Sequence, residues 1–257
     1  MKCLILAAGY STRLYPLTEN TAKQFLKIGN KYMVEHILDS IKHIEDIDEV
    51  IIISNNKFYK DFENWLENFK VSNNRFNKPI KLINNGTNSN EERLGAVGDM
   101  HFAISSQNID EEVLIIGGDN LFETDLKNMI EIFKKNQAPV VAARDLGDPN
   151  KLANKFGTIE VDENNKIIDF EEKPAQPKSS LAATCIYLYT KEDIEELEKC
   201  IKENKKPDNT GDFLNHLVNK KTVYCYHFNE PWYDIGSHEE LKEVQEKYSW
   251  SVWSKKS

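Results

Sequence analysis

Two cations follow closely on a run of small residues near the start of the chain. In "LAAGYSTRLYPLTENTAKQFL", residues 6–26, an apolar stretch ending in Leu6 and Ala7 gives way to Ala8, Gly9, Tyr10, Ser11 and Thr12, and then come Arg13 and Lys23. Small side chains let a backbone approach a ligand, and successive N–H groups beside two positive charges suit a polyphosphate. The spacing is neither G-x-x-x-x-G-K-[ST] nor G-x-G-x-x-G, so the two common phosphate-loop fingerprints are absent. Singly, each of these residues also reads as part of a surface turn; the combination is what points to an anion. Asp119 is the second chemical position. The apolar run of "VLIIGGDNLF" delivers it to a strand's C-terminal end, the edge where parallel sheets hold ligands, although a turn or capping aspartate fits there as well. The third is Asp234 in "PWYDIGSHEEL": Ser237 with Glu240 makes a capping box for the last helix, so Asp234 is not needed to start it. "FEEKPAQPKS", carrying Glu172 and Lys173, is by composition a charged turn.

The elements that must position these groups can be read from periodicity. Strands are expected at 3–7, 49–54, 80–84, 113–117 and 139–144, several of them unbroken apolar runs of the kind buried on both faces. Helical spacing links Met33, Ile37, Ile41 and Ile44, then Phe58, Phe62, Trp65 and Phe69, then Leu126, Ile130 and Phe133. This alternation implies an α/β, Rossmann-like, doubly wound and mostly parallel sheet. From about residue 150 the rhythm changes. Strands at 156–161, 166–170 and 181–189 follow one another without a helix, the first two joined by the turn "DENN", and suggest a mixed-sheet extension. Helices at 191–203 and 211–218, a strand at 222–228 and a helix at 237–247 complete the chain. With no internal repeat or low-complexity linker, residues 1–248 are expected to form a single domain, split near 150 into two halves, with a tail over 249–257.

Composition narrows the function classes. At 257 residues the chain is long enough to bury a substantial core. Its net charge of −9 argues against a nucleic-acid partner, whose phosphate lattice would need a broad basic face. The absence of an 18-residue apolar span and of a signal pattern implies no membrane partner and a cytoplasmic location. Cys3, Cys185, Cys200 and Cys225 form no C-x-x-C pair and read as reduced thiols. None of the six histidines has a partner at metal-ligand spacing, and His36 and His43 read as helix-surface residues. Trp250 and Trp253 are candidates either for packing on the body or for the interface of a homodimer.

"LAAGYSTRLYPLT" followed by "AKQFLKIGNKYMVEHIL" closely resembles the signature of the sugar-phosphate nucleotidyltransferases, of which glucose-1-phosphate thymidylyltransferases are the best-known type. The resemblance implies that Leu6 to Thr12 wrap a nucleoside triphosphate. It also implies that Arg13 neutralises the departing pyrophosphate and that Lys23 contacts phosphate near the reacting centre. Asp119 and Asp234 match the two aspartates with which the family holds one magnesium ion, and magnesium's preference for one or two carboxylates plus substrate phosphates explains why two suffice. The second half becomes an acceptor-binding extension. In it Glu172 and Lys173 of the E-K-P motif face a phosphorylated acceptor, and Gly157 and Thr184, with Gln24 from the first half, match the family's acceptor-side positions. Asn84, where the family usually carries glutamine, and Gly95 fall where the family binds the base, although an asparagine ending a strand also reads as a turn residue. Ser11 replaces a second glycine, Ala22 a proline, and Cys185 a glycine beside the sugar, where a larger side chain crowds a hexose. The activity expected is Mg²⁺-dependent transfer of a nucleotidyl group from an NTP to a phosphorylated metabolite such as a sugar 1-phosphate. A CTP-dependent cytidylyltransferase acting on a phosphorylated alcohol or amine, and a non-catalytic nucleotide sensor, are the alternatives.

Overall fold

The structure is a computed structural model that describes residues 1–72, 76–203 and 208–254. The side chains of Trp250 and Trp253 lie outside the described part. The chain begins with β1 (Lys2–Leu6), two short paired strands, β2 (Lys27–Ile28) and β3 (Lys31–Tyr32), and α1 (Met33–Ile41). The βα rhythm continues through β4 (Glu49–Ser54), α2 (Asn56–Ser72), β5 (Ile80–Asn84), α3 (Gly95–Gln107) and β6 (Val113–Gly117). After β7 (Asn120–Phe122) come α4 (Lys127–Asn136) and β8 (Val140–Asp145), then the consecutive strands β9 (Thr158–Val161), β10 (Ile167–Glu171) and β11 (Leu181–Tyr189). The chain closes with α5 (Lys191–Glu203), α6 (Thr210–Val218), β12 (Tyr224–Phe228), β13 (Trp232–Asp234) and α7 (His238–Ser254).

One nine-stranded sheet runs through both halves in the order β10-β9-β11-β6-β1-β4-β5, with β8 joining β11 and β12 joining β8. In the first half β1 pairs in parallel with both β4 and β6, and β4 with β5. The mixed extension begins at β11, which runs antiparallel to β6, β8 and β9. Alternation explains why the central strands are apolar throughout. Cys3 and Ile5 pack with α1, α2 and α4 on one face, whereas Leu4 packs with α3, α5 and α6 on the other. A smaller cluster of Ile28, Met33, Leu121, Ile235, Leu241 and Val244 seats α7 against the ends of β2, β7 and β13.

Most expected elements are present within a residue or two. α1 stops at Ile41, although Ile44 stays buried through a turn, and α7 runs on to Ser254. The short pairs β2–β3 and β7–β13 are too brief to leave a periodic signal. His36, expected on a helix surface, is buried, with Nε2 at 2.9 Å from the Ile28 carbonyl oxygen. Among the described residues no helix is long and apolar enough to cross a membrane.

Candidate active site

The loop after β1 is held from behind and open in front. Ala7 N–H donates to Ile53 O, Leu6 O accepts from Gly118 N–H at 2.8 Å, and Asn55 Nδ2 donates to Ala8 O at 2.9 Å. By contrast, the backbone N–H groups of Gly9 to Arg13 have no hydrogen-bond partner among the described residues. A Cβ on Gly9 would meet nothing within 4 Å, so the front of the loop faces open space. Ser11, where the related signature has glycine, adopts φ 52°, ψ 42°, the left-handed region that glycine reaches without strain. Thr18 Oγ1 secures that turn by donating to Ser11 O at 2.8 Å.

Lys23 opens a single 3₁₀ turn and is 7% exposed. Its Nζ donates at 2.9 Å both to Asp119 Oδ2 and to the Ile235 carbonyl oxygen, joining the amino-terminal loop to the ends of β6 and β13. Asp119 and Asp234, separated widely in sequence, are brought together by the antiparallel β7–β13 pair. Asp234 lies opposite Asn120, and Ile235 N–H donates to Asp119 O. Trp232 Nε1 locks the pair by donating to Asn120 Oδ1 at 2.6 Å, while Asn120 Nδ2 donates to Asp119 Oδ1 at 3.2 Å. Burial raises the Asp119 carboxyl, but the charge and hydrogen bond of Lys23, with help from Arg13, override it and hold the group below its ordinary value. Asp234 has no such direct bond among the described residues, and burial together with the Asp119 charge pushes it up to about 7. Arg13 is exposed, with a terminal nitrogen 3.0 Å from where a Cβ on Gly236 would stand.

Arg13, Asp119 and Asp234 line a cavity of about 240 Å³ whose other wall comes from the extension. Gly157, Glu172, Lys173, Thr184 and Cys185 all belong to that wall. Gly157 and the helical Gly211 cradle Glu172, since a Cβ on either would fall within 3.0 Å of its Oε2. Burial raises the Glu172 carboxyl, against the opposing charge of Lys173. Thr184 donates its hydroxyl to Ala142 O at 2.8 Å, which commits that group to bracing β11 on β8. Cys185 sits at φ 57° where the β11–β8 register slips, its Sγ 3.5 Å from Thr210 Oγ1, and burial pushes its thiol up to about 12.

Lys23 stands behind Asp119 and, like the loop from Leu6 to Thr12, is not part of this lining; Gln24, Asn84 and Gly95 also lie off the cavity. Gln24 is 3% exposed against Gly118, and its Oε1 has no partner among the described residues. Asn84 is turned to the outside, donating to Asn56 Oδ1 and accepting from Gly86 N–H. Gly95 opens α3 at φ 77°, pressed against Asp208, and the next residue, Ala96, lines the cavity. Conversely, Lys155, Tyr187, Asn209, Thr210 and Trp232 line the cavity without having been singled out. For Asn209 and Thr210 a signal existed. "DNTGD" is a capping sequence, and Asn209 with Asp212 caps α6 at the cavity wall. A larger hollow of about 460 Å³ lies over Phe25, Tyr32, Trp65 and Phe69, but it contains neither of the paired aspartates, so chemistry and not size identifies the site.

A nucleotide-type loop, a lysine and two convergent carboxylates at the C-terminal edge of a parallel sheet invite comparison with known proteins. The model of the nucleotidyl transferase family matches residues 2–250. The chain belongs to this family. Among solved structures this nucleotidyltransferase is similar to a Bacillus anthracis protein described as a glucose-1-phosphate thymidylyltransferase, in complex with a sucrose. The TM-score is 0.81 at 25% identity, over 96% of this chain and 95% of that one. It shares its fold with UDP-glucose pyrophosphorylase complexed with UDP-glucose, at TM-score 0.80 and 22% identity, over 97% of this chain and 98% of that one. The apo form of UDP-glucose pyrophosphorylase gives 0.81 at 21%, over 98% of both chains.

Proposed function

We propose that this nucleotidyltransferase couples a nucleoside triphosphate to a sugar 1-phosphate, releasing pyrophosphate. The observation that carries the reading is the convergence of Arg13, Asp119 and Asp234 on one cavity, with Lys23 bonded to Asp119, beside a loop with N–H groups unpartnered among the described residues. The loop from Leu6 to Thr12 would wrap the triphosphate, as backbone N–H groups do in anion-binding nests. Arg13 would offset charge on the departing pyrophosphate, and Lys23 would steady the α-phosphate. In the opposite wall Lys155 and Lys173 supply cations for the acceptor's phosphate. An acceptor phosphate oxygen attacks the α-phosphorus in line, the bond from that phosphorus to the β-bridging oxygen breaks, and pyrophosphate leaves. A phosphate monoester has a second pKa of about 6, so the nucleophile arrives ionised and no side chain has to remove a proton.

The carboxylate pair fits a magnesium ion. Asp119 and Asp234 are two oxygen donors whose mutual repulsion a divalent cation relieves, and among the described residues no third His, Cys, Asp or Glu joins them. That suits an ion completing its shell with water and substrate phosphate. When bound there, magnesium would screen the triphosphate's charge as the α-phosphorus is attacked.

A second reading, a cytidylyltransferase for a phosphorylated alcohol or amine, is favoured by Cys185. Its side chain narrows the acceptor wall and is retained in a left-handed conformation. Pyrophosphate release measured for each NTP against sugar 1-phosphates, phosphocholine and other small phosphate esters, with Mg²⁺, separates the readings. Turnover with a hexose 1-phosphate, lost in Asp119→Asn, supports the first; turnover confined to small esters with CTP replaces it by the second. If an NTP binds tightly but no acceptor gives pyrophosphate, the chain is a sensor.

A further inference from the structure

The triphosphate loop is tied to helix α3 by a buried chain of hydrogen bonds that the proposed mechanism does not use. Tyr10, in the middle of the loop, donates its hydroxyl to Thr87 Oγ1 at 3.1 Å. Thr87 in turn donates from Oγ1 and from its backbone N–H to Asn85 Oδ1, at 2.9 and 3.0 Å. Asn85 Nδ2 donates to Asp99 Oδ1 at 2.7 Å. All four residues are less than 9% exposed, and none of their buried side-chain nitrogen or oxygen atoms is without a partner.

The direction of the chain matters. Asp99, an acceptor only when ionised, fixes the orientation of the Asn85 amide; that leaves Oδ1 facing Thr87, which then presents its own oxygen to Tyr10. The far end of the relay is therefore the backbone carrying the unpartnered N–H groups of Gly9 to Arg13. Asp99 lies one turn inside α3, whose first turn contributes Ala96 to the cavity, so the relay spans the two walls between which a nucleotide would sit. A second brace, Asn55 Nδ2 to Ala8 O, holds the loop one side of Tyr10, and no other described side chain bonds the Tyr10 hydroxyl. Burying a carboxylate here has a cost, since burial raises Asp99 to about 6, and an apolar residue would fill the same space without it.

Building on the nucleotide-binding reading above, we propose that Asp99 is a positioning residue for the nucleoside triphosphate: through Asn85, Thr87 and Tyr10 it holds the amino-terminal loop in its phosphate-binding conformation. The test is calorimetric binding of each Mg²⁺·NTP to the full chain, with melting temperatures in parallel. The forms compared are wild type, Asp99→Ala, Asp99→Asn, Tyr10→Phe and the double variant Tyr10→Phe/Asp99→Ala. Asp99→Ala should weaken binding about tenfold, because the orphaned amide turns and the loop loses its hold. Asp99→Asn keeps an acceptor oxygen for Asn85 and should restore affinity to within about threefold of wild type. Tyr10→Phe removes only a hydroxyl and should weaken binding, and the double variant should bind no more weakly than Asp99→Ala alone, as expected for links of one relay.

A melting temperature that falls while affinity is unchanged in Asp99→Ala would make the cluster a core contact only and overturn the proposal. So would full additivity of the two single losses. Should Asp99→Ala fail to fold, unchanged affinity in Tyr10→Phe is enough to reject it. A wild-type protein that binds no NTP rejects the proposed function itself, a different result from wild-type binding that the variants leave untouched.

Discussion

Lys23 serves two purposes at once. It is the cation expected near the reacting phosphate, and it is also the buried partner of Asp119 and the donor to Ile235 O. The sequence gives reason to expect only lost turnover from Lys23→Ala. The structure adds lost stability, because the substitution leaves an aspartate uncompensated. Asp119 is about a third exposed, so solvent screens part of the loss, and a destabilisation of about 1–2 kcal/mol is expected in urea unfolding alongside abolished turnover. An unchanged unfolding midpoint would mean the pair is worth nothing to the fold. Asp99 makes a prediction of opposite electrostatic sign. Burial, partly offset by the Asn85 hydrogen bond and reinforced by Asp208, raises it from 3.8 to about 6. A carboxyl whose pKa is raised on folding contributes stability below its unfolded value and loses it as pH rises towards the folded one. Between about pH 4 and 6 wild type should lose about 2 kcal/mol relative to Asp99→Asn, read as a widening gap between their melting temperatures.

Elements place these groups by close backbone approach. Gly118 lets the end of β6 pass directly over the end of β1: its N–H donates to Leu6 O, and a Cβ there would stand 2.5 Å from that oxygen and 2.9 Å from Gln24 Nε2. Gly118→Ala should therefore cost about 2–3 kcal/mol and displace Asp119 from Lys23, seen as a lower melting temperature together with reduced pyrophosphate release. Full activity with wild-type stability would show that the two strand ends can separate without consequence. The last helix illustrates how local signals carry a shifted detail. Ser237 Oγ accepts from Glu240 N–H as a cap should, but Glu240 reaches past it to Gly236 N–H, beside Arg13.

At the scale of the whole molecule the site is an assembly of distant pieces: the first loop, the end of β6, the extension and the short β13. A ligand bridging them stabilises the native state by mass action. Saturating NTP with Mg²⁺, at about a hundred times its Kd, should add about 2.7 kcal/mol, raising the melting temperature by about 5–10 °C. Chelating the metal should remove most of that rise in wild type, and Asp234→Asn should show little of it from the start. A metal-independent shift of the same size in both would remove the carboxylate pair from any metal role.

Much of this architecture was legible from periodicity. Unbroken apolar strands imply helices on both sheet faces, and the ranges 49–54 and 113–117 coincide with β4 and β6, because burial on both faces leaves a continuous signal; 80–84 and 181–189 coincide with β5 and β11 although burial there is only partial or alternating. The amino-terminal loop was legible too, since its chemistry is local. The family resemblance pointed to Asp119 and Asp234 as a pair, but no local pattern places them side by side, because the three-residue strands that join them are too short to mark the sequence. Tertiary structure also turned Asn84 outward, since its amide is satisfied by Asn56 and Gly86, and gave the neighbouring Asn85 the buried position. Residue types and local spacing name the groups available for chemistry. Which of them share a cavity is set by hydrogen bonds and packing between segments far apart in the chain, and no local pattern encodes those.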